Sequence, residues 1–480
     1  MEFMARETKG GLFCDRVLLP EGWAANIALR FDGRGTLTAV ERDAQPGDLP
    51  RASGPVIPGM PNLHSHAFQR AMAGLAERAG PSEDSFWTWR EAMYGFVRRM
   101  TPEAAEAVAA LLYMEMAKQG YTAVAEFHYL HHDRDGRTYA DRAEMSRRIL
   151  AAADTAGIGL THLPVLYAHS GFGGTPPSDG QKRFINDVDG ILSIVAAIRE
   201  SMGKEDRAGR RVGLALHSLR AVTPEEMRDA LAGLESIAPG APIHIHIAEQ
   251  TAEVDACLAW SGKRPVEWLL DNAPADTPVG PRWCLVHATH LTPDETDRLA
   301  ASGAIAGLCP TTEANLGDGL FPAGPFLAKG GRFGLGSDSH ISVSAAEELR
   351  VLEYGQRLVQ RRRNVLRVDD SLSLGGPSIG GGLYRAAVAG GAQALGQPVA
   401  GGGIRVGQPA DLVVLDGDNP KLFSRDEDSL LDAYVFASDG HAVRDVVAAG
   451  RTVVRDGRHV REDAIVAAYR RAITGLRQDT

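Results

Sequence analysis

Residues 56–66, VIPGMPNLHSH, are an apolar stretch that ends in two histidines, His64 and His66, with one serine between them. The Pro-Gly-Met-Pro segment within it excludes a helix, so the stretch predicts a β-strand. Side chains at positions i and i+2 of a strand point to the same side. Both imidazoles are therefore expected on one face, at the C-terminal end of the strand.

Seven further apolar, β-branched stretches end in polar residues in the same way. They are TAVAEFHY (122–129), IGLTHLPVLY (158–167), RVGLALHSLR (211–220), PIHIHIAEQ (242–250), WCLVHATH (283–290), AIAGLCPTTE (304–313) and RFGLGSDSH (332–340). Segments with helical apolar spacing lie between them, for example 101–120, 139–157 and 223–240. Eight strands alternating with helices predict an α/β fold, a (β/α)8 TIM barrel with its site at the C-terminal strand ends.

The two ends of the chain have a different pattern, with short alternating runs and many glycines. GQPADLVVLD (407–416) and DVVAAGRTVVRDG (445–457) indicate strands and a hairpin that turns at Ala449-Gly450. We predict a small β-sandwich domain formed by both ends. Residues 1–57 are its first part, 58–398 are the barrel, and 399–480 are its second part with a C-terminal helix.

Composition excludes several classes of protein. The 480 residues are 44% hydrophobic and carry a net charge of −10, without a basic cluster, so a nucleic-acid partner is not expected. No apolar run reaches the roughly 20 residues of a membrane span, and the start lacks a signal peptide, which predicts a cytoplasmic protein without a membrane partner. The four cysteines form no C-x-x-C pair and are expected to be buried and free of disulfides.

Chemistry-bearing residues end several of the predicted strands. His246 ends the fifth strand, His287 the sixth and Asp338 the eighth. A lone H-x-H pair is more often incidental than metal-binding, but histidines and an aspartate at four strand ends favour a metal site over hydrogen-bonded core residues. Three neutral imidazoles and a carboxylate suit one divalent ion such as Zn²⁺, and Fe²⁺ or Mn²⁺ fit too.

The motifs PGMPNLHSH, HIHIAE, LVHATH and GLGSDSH resemble those of the amidohydrolase superfamily, in its branch of mononuclear deaminases that includes guanine and cytosine deaminases. The resemblance implies a homodimer and one metal ion, since no strand-end lysine is placed as a bridging ligand. It also implies that Glu249 shuttles a proton and that His287 contacts the attacking water or the substrate. The implied metal ligands are His64, His66, His246 and Asp338. His244 shares a strand face with His246 but lies farther from the strand end, so it is expected to be a buried barrel residue.

Such a site predicts hydrolysis of an amidine-like or amide-like carbon. A bound divalent ion lowers the pKa of water from 15.7 to about 7. Asp338 would orient the resulting hydroxide, and Glu249 would carry a proton to the leaving nitrogen, which departs as ammonia. These residues alone do not decide between the two kinds of carbon.

Further polar residues near the same strand ends predict an acidic small-molecule substrate, because a guanidinium there needs a carboxylate or phosphate. HSHAFQR, EFHY and HSLR resemble the members of the branch that remove ammonia from an amidine-bearing diacid. This implies that Arg90 closes over the site from a loop within 82–96 and that four residues bind the carboxylates: Gln69, Tyr129, His217 and Arg220. Tyr129 as a packing residue, Gln69 as a helix cap and Arg90 paired with Glu91 are the alternatives.

Three other functions are compatible with parts of the pattern. A deaminase of guanine, cytosine or an adenosine derivative would use the same metal residues, but His217 and Arg220 argue against a neutral base. A hydrolase of another bond would release no ammonia. A non-catalytic relative would have lost metal ligands, and none is missing from this sequence.

Overall fold

A computed structural model of the chain describes residues 10–77, 86–203, 208–368, 378–397, 402–438 and 440–478. Its strands, in chain order, are β1 Gly11–Leu19, β2 Gly22–Phe31, β3 Leu37–Glu41, β4 Val56–Pro58, β5 Met60–Ser65, β6 Tyr121–His128, β7 Gly159–Leu166, β8 Arg210–Val212, β9 Leu214–Ser218, β10 Ile243–Ile247, β11 Trp283–His287, β12 Ile305–Leu308, β13 Arg332–Leu335, β14 Leu412–Leu415, β15 Val443–Ala448, β16 Arg451–Arg455 and β17 Arg458–His459.

The helices are α1 Phe86–Val97, α2 Pro102–Lys118, α3 Glu144–Ala156, α4 Val188–Gly203, α5 Pro224–Ile237, α6 Thr251–Ser261, α7 Pro265–Asn272, α8 Pro293–Ser302, α9 Pro310–Leu316, α10 Ala323–Ala328, α11 Ala345–Gln360, α12 Ile379–Ala394, α13 Glu427–Phe436 and α14 Glu462–Gln478. Thr101 and Thr223 cap α2 and α5, and a proline follows each cap. None of the helices in the described ranges is long and apolar enough to cross a membrane.

The central sheet is a closed parallel barrel. Its strands follow one another in the order β5, β6, β7, β9, β10, β11, β12 and β13, and β13 pairs with β5 to close the ring. The short strand β8 pairs with β7 just before β9 begins, so β8 and β9 together serve as the fourth barrel strand. The predicted TIM barrel is confirmed, with all eight strands found where the sequence places them.

Both ends of the chain join one second sheet, in the order β17, β16, β15, β14, β4, β1, β2 and β3. Its pairings are antiparallel except β1 with β4. Ala449 and Gly450 have φ of 44° and 73°, the left-handed pair that a two-residue hairpin turn requires. The predicted small β domain from both ends is confirmed, and the predicted first strand, 56–66, divides at Gly59 between this sheet and the barrel.

Candidate metal centre and active site

The barrel interior brings three predicted metal ligands together at the C-terminal strand ends. The Nε2 atoms of His64 and His66 are 3.1 Å apart, those of His66 and His246 3.3 Å, and those of His246 and His64 3.0 Å. All three side chains are buried. Burial lowers the pKa of each ring below its usual value, so the rings are neutral at pH 7.

The ring nitrogen atoms of this cluster are arranged to bind a cation. His66 Nδ1 donates to the carbonyl of Phe127 over 2.9 Å, and His246 Nδ1 donates to the carbonyl of His217 over 2.9 Å. A carbonyl can only accept, so each of these neutral rings keeps its proton on Nδ1 and directs the unshared pair of Nε2 inward. Two unshared pairs that face each other over 3.3 Å repel unless a positive ion lies between them. The residues therefore fit a divalent metal ion.

Asp338 completes the set with a carboxylate. Its Oδ1 lies 3.4 Å from Nε2 of both His64 and His66. Asp338 has φ of 47° and His287 has φ of 66°, a left-handed backbone that non-glycine residues rarely adopt. Strain of about 1–3 kcal/mol per residue persists where the surroundings hold it, and such residues cluster at active sites.

Beside this cluster, His287 lies among three carboxylates. Its Nε2 is 3.8 Å from Glu249 Oε1 and 3.7 Å from Asp338 Oδ2, while its Nδ1 is 3.2 Å from Glu313 Oε1. Burial disfavours the charged ring, but Glu249, Glu313 and Asp338 outweigh it and raise the pKa of His287 to about 10. Burial raises the pKa of Glu249 to about 7. An acid that can hold or release a proton near neutral pH therefore adjoins the metal cluster.

A cavity opens onto these groups. It is lined by all the residues that the sequence predicts to bind substrate: Gln69, Arg90, Tyr129, His217 and Arg220. Gln69 donates to the Tyr129 hydroxyl over 2.8 Å, and the Tyr129 ring packs edge-on against His66 with centroids 4.9 Å apart. Gln69 and Tyr129 thus face the cavity as a hydrogen-bonded pair.

The cationic side of the cavity is formed by Arg90 and Arg220. Burial lowers the pKa of His217 well below its usual value, and the charges of Arg220 and Arg90 act in the same direction. Arg90 also lies over the Tyr94 ring, 5.6 Å from its centroid. The expected loop position of Arg90 is wrong, because Arg90 lies within helix α1, from which Trp89 and Tyr94 also line the cavity. Part of the stretch expected to cover the site, 82–85, lies outside the described residues.

His244, which shares a strand face with the proposed ligand His246, is a structural residue. His244 Nε2 donates to the carbonyl of Ala394 over 2.8 Å, at the base of helix α12. His244 lies two residues before His246 on the same face of strand β10, so it is deeper in the barrel. The predicted buried, hydrogen-bonded role of His244 is confirmed. All four cysteines are buried and free, also as predicted.

Sequence reasoning missed two kinds of residue here. Tyr167 and Glu313 end the third and seventh predicted stretches, 158–167 and 304–313, so the strand-end rule that found His246 would have found them. Trp89, Tyr94, Phe184, Thr312 and Ser339 also line the cavity. Phe184 and Ser339 come from loops, Trp89 and Tyr94 from α1, and Thr312 from α9. Thr312 and Ser339 lie within the predicted stretches 304–313 and 332–340, whereas no strand-end signal marks the other three.

Comparison with known proteins agrees with this geometry. The model of the Amidohydrolase family matches residues 56–453. The chain is 57% identical over 459 residues to formimidoylglutamate deiminase of Pseudomonas aeruginosa, covering 95% of this chain and 97% of that protein. An amidohydrolase from Brucella melitensis of known crystal structure has a TM-score of 0.89 at 50% identity, over 98% of this chain and 100% of that one.

A more distant solved structure shares the fold. An adenosine deaminase from Xanthomonas campestris with bound zinc has a TM-score of 0.77 at 21% identity, over 98% of each chain. The chain belongs to the amidohydrolase family, as the resemblance of its motifs predicts.

Proposed function

We propose that the protein hydrolyses N-formimidoyl-L-glutamate to N-formyl-L-glutamate and ammonia, a step of histidine degradation. One observation carries this proposal: a single cavity joins the buried histidine and aspartate cluster to Arg90 and Arg220. The cluster suits hydrolysis of the formimidoyl carbon, and the guanidinium groups suit the two carboxylates. The 57% identity to a formimidoylglutamate deiminase supports the same substrate.

His64, His66, His246 and Asp338 are the proposed ligands of one divalent ion. Zinc suits this set of imidazole and carboxylate ligands, and Fe²⁺ or Mn²⁺ would also be accommodated. When bound, such an ion acidifies a water molecule so that it can attack carbon near neutral pH. Asp338, whose second oxygen lies toward His287, would accept a hydrogen bond from that water and hold it in place.

Glu249 is the proposed proton shuttle. Its buried carboxyl, with a pKa of about 7, can accept a proton from the attacking water and return it to the departing nitrogen. The formimidoyl carbon gains a C–O bond, and the second proton of the water then passes by the same route to the terminal nitrogen. The C–N bond to that nitrogen breaks as the C=O bond forms, and ammonia leaves. His287 would donate from Nε2 to the oxygen on which charge develops, because both N–H groups are present at its raised pKa.

Substrate binding is assigned to the remaining residues of the cavity. Arg220 and Arg90 would pair with the glutamate carboxylates, with fork-shaped donors that match their geometry. The substrate would also contact His217, Gln69 and Tyr129, whose polar atoms face the same cavity. A neutral nucleobase offers these guanidinium groups no anion, which disfavours deamination of guanine, cytosine or an adenosine derivative.

Association of two chains into a homodimer and residence in the cytoplasm stay predictions from the sequence. The same holds for the expected absence of nucleic-acid and membrane partners. A small-molecule substrate is supported by the enclosed cavity and by the family.

The experiment that tests the function is ammonia release by the zinc-loaded protein. N-formimidoyl-L-glutamate, guanine, cytosine and adenosine are offered separately at equal concentration. We expect rapid release from the formimidoyl diacid alone. Release from a base instead would keep the metal chemistry and contradict the assignment of Arg220 and Arg90.

A further inference from the structure

Glu313 is a buried acid that lies just behind the active site. It belongs to the short helix α9, which follows barrel strand β12, and its side chain is only 5% exposed. Its neighbour Thr312 lines the cavity, whereas Glu313 is not among the described residues that do. Glu313 therefore has no direct route to a substrate, and any effect on the reaction must pass through another residue.

The contacts of Glu313 identify that residue as His287. Glu313 Oε1 accepts from His287 Nδ1 over 3.2 Å and from the backbone N–H of Cys309 over 2.9 Å. The Glu313 backbone N–H in turn donates to the carbonyl of Cys309 over 2.9 Å. The first of the Cys309 bonds holds the carboxylate and the second holds the Glu313 backbone, so both tie the residue to Cys309 with Oε1 directed at His287.

This contact decides whether Nε2 or Cε1 of His287 faces the reaction. An imidazole ring can turn about its Cβ–Cγ bond and exchange its two edges, and only a partner on one edge selects an orientation. With Nδ1 directed to Glu313, Nε2 faces Glu249 and Asp338, at 3.8 and 3.7 Å.

We propose that Glu313 is a positioning residue that holds the His287 ring with Nε2 toward the reacting group. The proposal rests on the proposed function, in which His287 contacts the oxygen of the reacting carbon. The position of Glu313 is what the proposal concerns, because its carboxylate oxygen is an acceptor that is tied to the chain at Cys309.

A double-mutant cycle separates positioning from a merely structural role. We expect Glu313→Ala to lower kcat by about 10–100-fold with little change in KM, the usual loss when an outer partner of a catalytic histidine is removed. Glu313→Gln should recover most of this loss, because its amide oxygen can accept both hydrogen bonds. In a His287→Asn background, Glu313→Ala should cause no further loss.

An equal loss in both backgrounds would overturn the proposal, since Glu313 would then act through Cys309 and the fold. Melting temperature and metal content are measured for every variant. If Glu313→Ala does not fold, Glu313→Asp replaces it, because the shorter side chain cannot reach Cys309 and His287 together and should give the same loss of kcat.

A second readout does not depend on the substrate. Crystal structures of the metal-loaded Glu313→Ala and Glu313→Gln proteins should show a turned His287 ring in the first and the wild-type orientation in the second. An unturned ring in Glu313→Ala would refute positioning. Failure of the wild-type protein to release ammonia would instead refute the proposed function and leave this structural test intact.

Discussion

The histidine cluster is the residue-scale feature with the clearest physical demand. Neutral rings of His66 and His246 direct unshared pairs at each other, and burial prevents solvent from relieving the repulsion. A bound cation converts this repulsion into coordination, and the hydrogen bonds from Nδ1 to Phe127 and His217 hold the rings for it. Glu249 is close to the cluster without being part of it.

His246 belongs to the metal cluster and Glu249 lies beside it, so we expect His246→Ala and Glu249→Gln to differ in metal content. His246→Ala should remove both the metal and the activity, because one of three imidazoles is lost. Glu249→Gln should keep the metal and lower kcat by at least about 10²-fold, the range for a general acid or base. Metal analysis beside turnover checks both variants. Loss of metal from Glu249→Gln would contradict its role as a separate proton shuttle.

Arg220 permits a second test at this scale. Arg220→Met should lower kcat/KM for the diacid about 30-fold or more, because truncating one partner of a buried ion pair costs about 2 kcal/mol or more. Arg228→Met is the matched control, since Arg228 is an exposed residue of α5 beside Asp229 and such pairs contribute little. Equal kinetics for the two variants would reject the assignment of Arg220.

Single site residues could be predicted where they lie at the end of a predicted strand. His64, His66, His246, His287 and Asp338 each follow an apolar run, and parallel barrel strands bring such ends together. Glu313 also follows an apolar run, but the sequence does not indicate which residue it contacts. Its hydrogen bond to His287 is seen only in the structure. Tyr94 and Trp89 face the cavity from a helix, whose orientation depends on packing that local sequence does not encode.

At the scale of elements, helix α12 packs against barrel strands β5 and β13 with backbone close to backbone. A Cβ added at Gly390 would overlap the carbonyl oxygen of Phe333, and one at Gly391 would meet the carbonyl oxygen of Pro61 at 2.9 Å. Only glycine allows this approach. Strand β13 ends three residues before Asp338, so the packing of α12 also supports the site.

We therefore expect Gly390→Ala to destabilise the protein by about 1–3 kcal/mol, as overpacking in a close-packed core does, and to weaken metal binding through β13. Gly475→Ala in helix α14 is the control. Among the described residues, and apart from the neighbouring backbone of the helix itself, no atom lies within 4 Å of a Cβ there, and alanine should stabilise that helix by about 0.5–1 kcal/mol. Thermal unfolding and metal titration compare the two; equal stability would show that α12 can move away without cost.

The elements themselves were largely predictable, because hydrophobic runs and Thr-Pro starts are local signals. The division of 56–66 at Gly59 was not, since β4 joins a sheet made from both chain ends, between β1 and β14. The resemblance predicts a loop within 82–96, whereas residues 86–97 form helix α1.

At the scale of the whole molecule, the barrel is inserted into a sheet made from both chain ends. Strand β4 pairs with β1 on one side and with β14 on the other, which ties residue 17 to residue 56 and residue 57 to residue 413. The domain boundaries at 57/58 and 398/399 remain predictions. Such long-range pairing cannot be deduced from alternation alone, although the change in pattern at both ends suggests it.

The buried histidines outside the site predict an acid dependence of stability. Burial lowers the pKa of His162 from 6.5 to about 3, so the folded state holds the ring neutral. Its contribution is fully present above pH 6.5 and is lost as pH falls toward 3, because the unfolded chain binds the proton first. His162→Leu should remove this pH-dependent contribution to the free energy of unfolding, which amounts to up to about 1.4 kcal/mol per pH unit.

The measurement is the difference in unfolding free energy between wild type and His162→Leu at several pH values from 7 to 4. The difference matters because burial raises the pKa of Glu126 to about 7 and that of Glu348 also upward, which gives slopes of opposite sign in both proteins. A difference that does not change with pH would contradict a neutral, buried His162.

The most direct test of the central claim is the identity of the products formed from N-formimidoyl-L-glutamate. Its formimidoyl carbon has two C–N bonds, and NMR of the reaction mixture shows which one breaks. Deimination predicts N-formyl-L-glutamate and ammonia in equal amounts. Formamide and glutamate in their place, or an unchanged substrate with the metal-loaded protein, would contradict the proposed function.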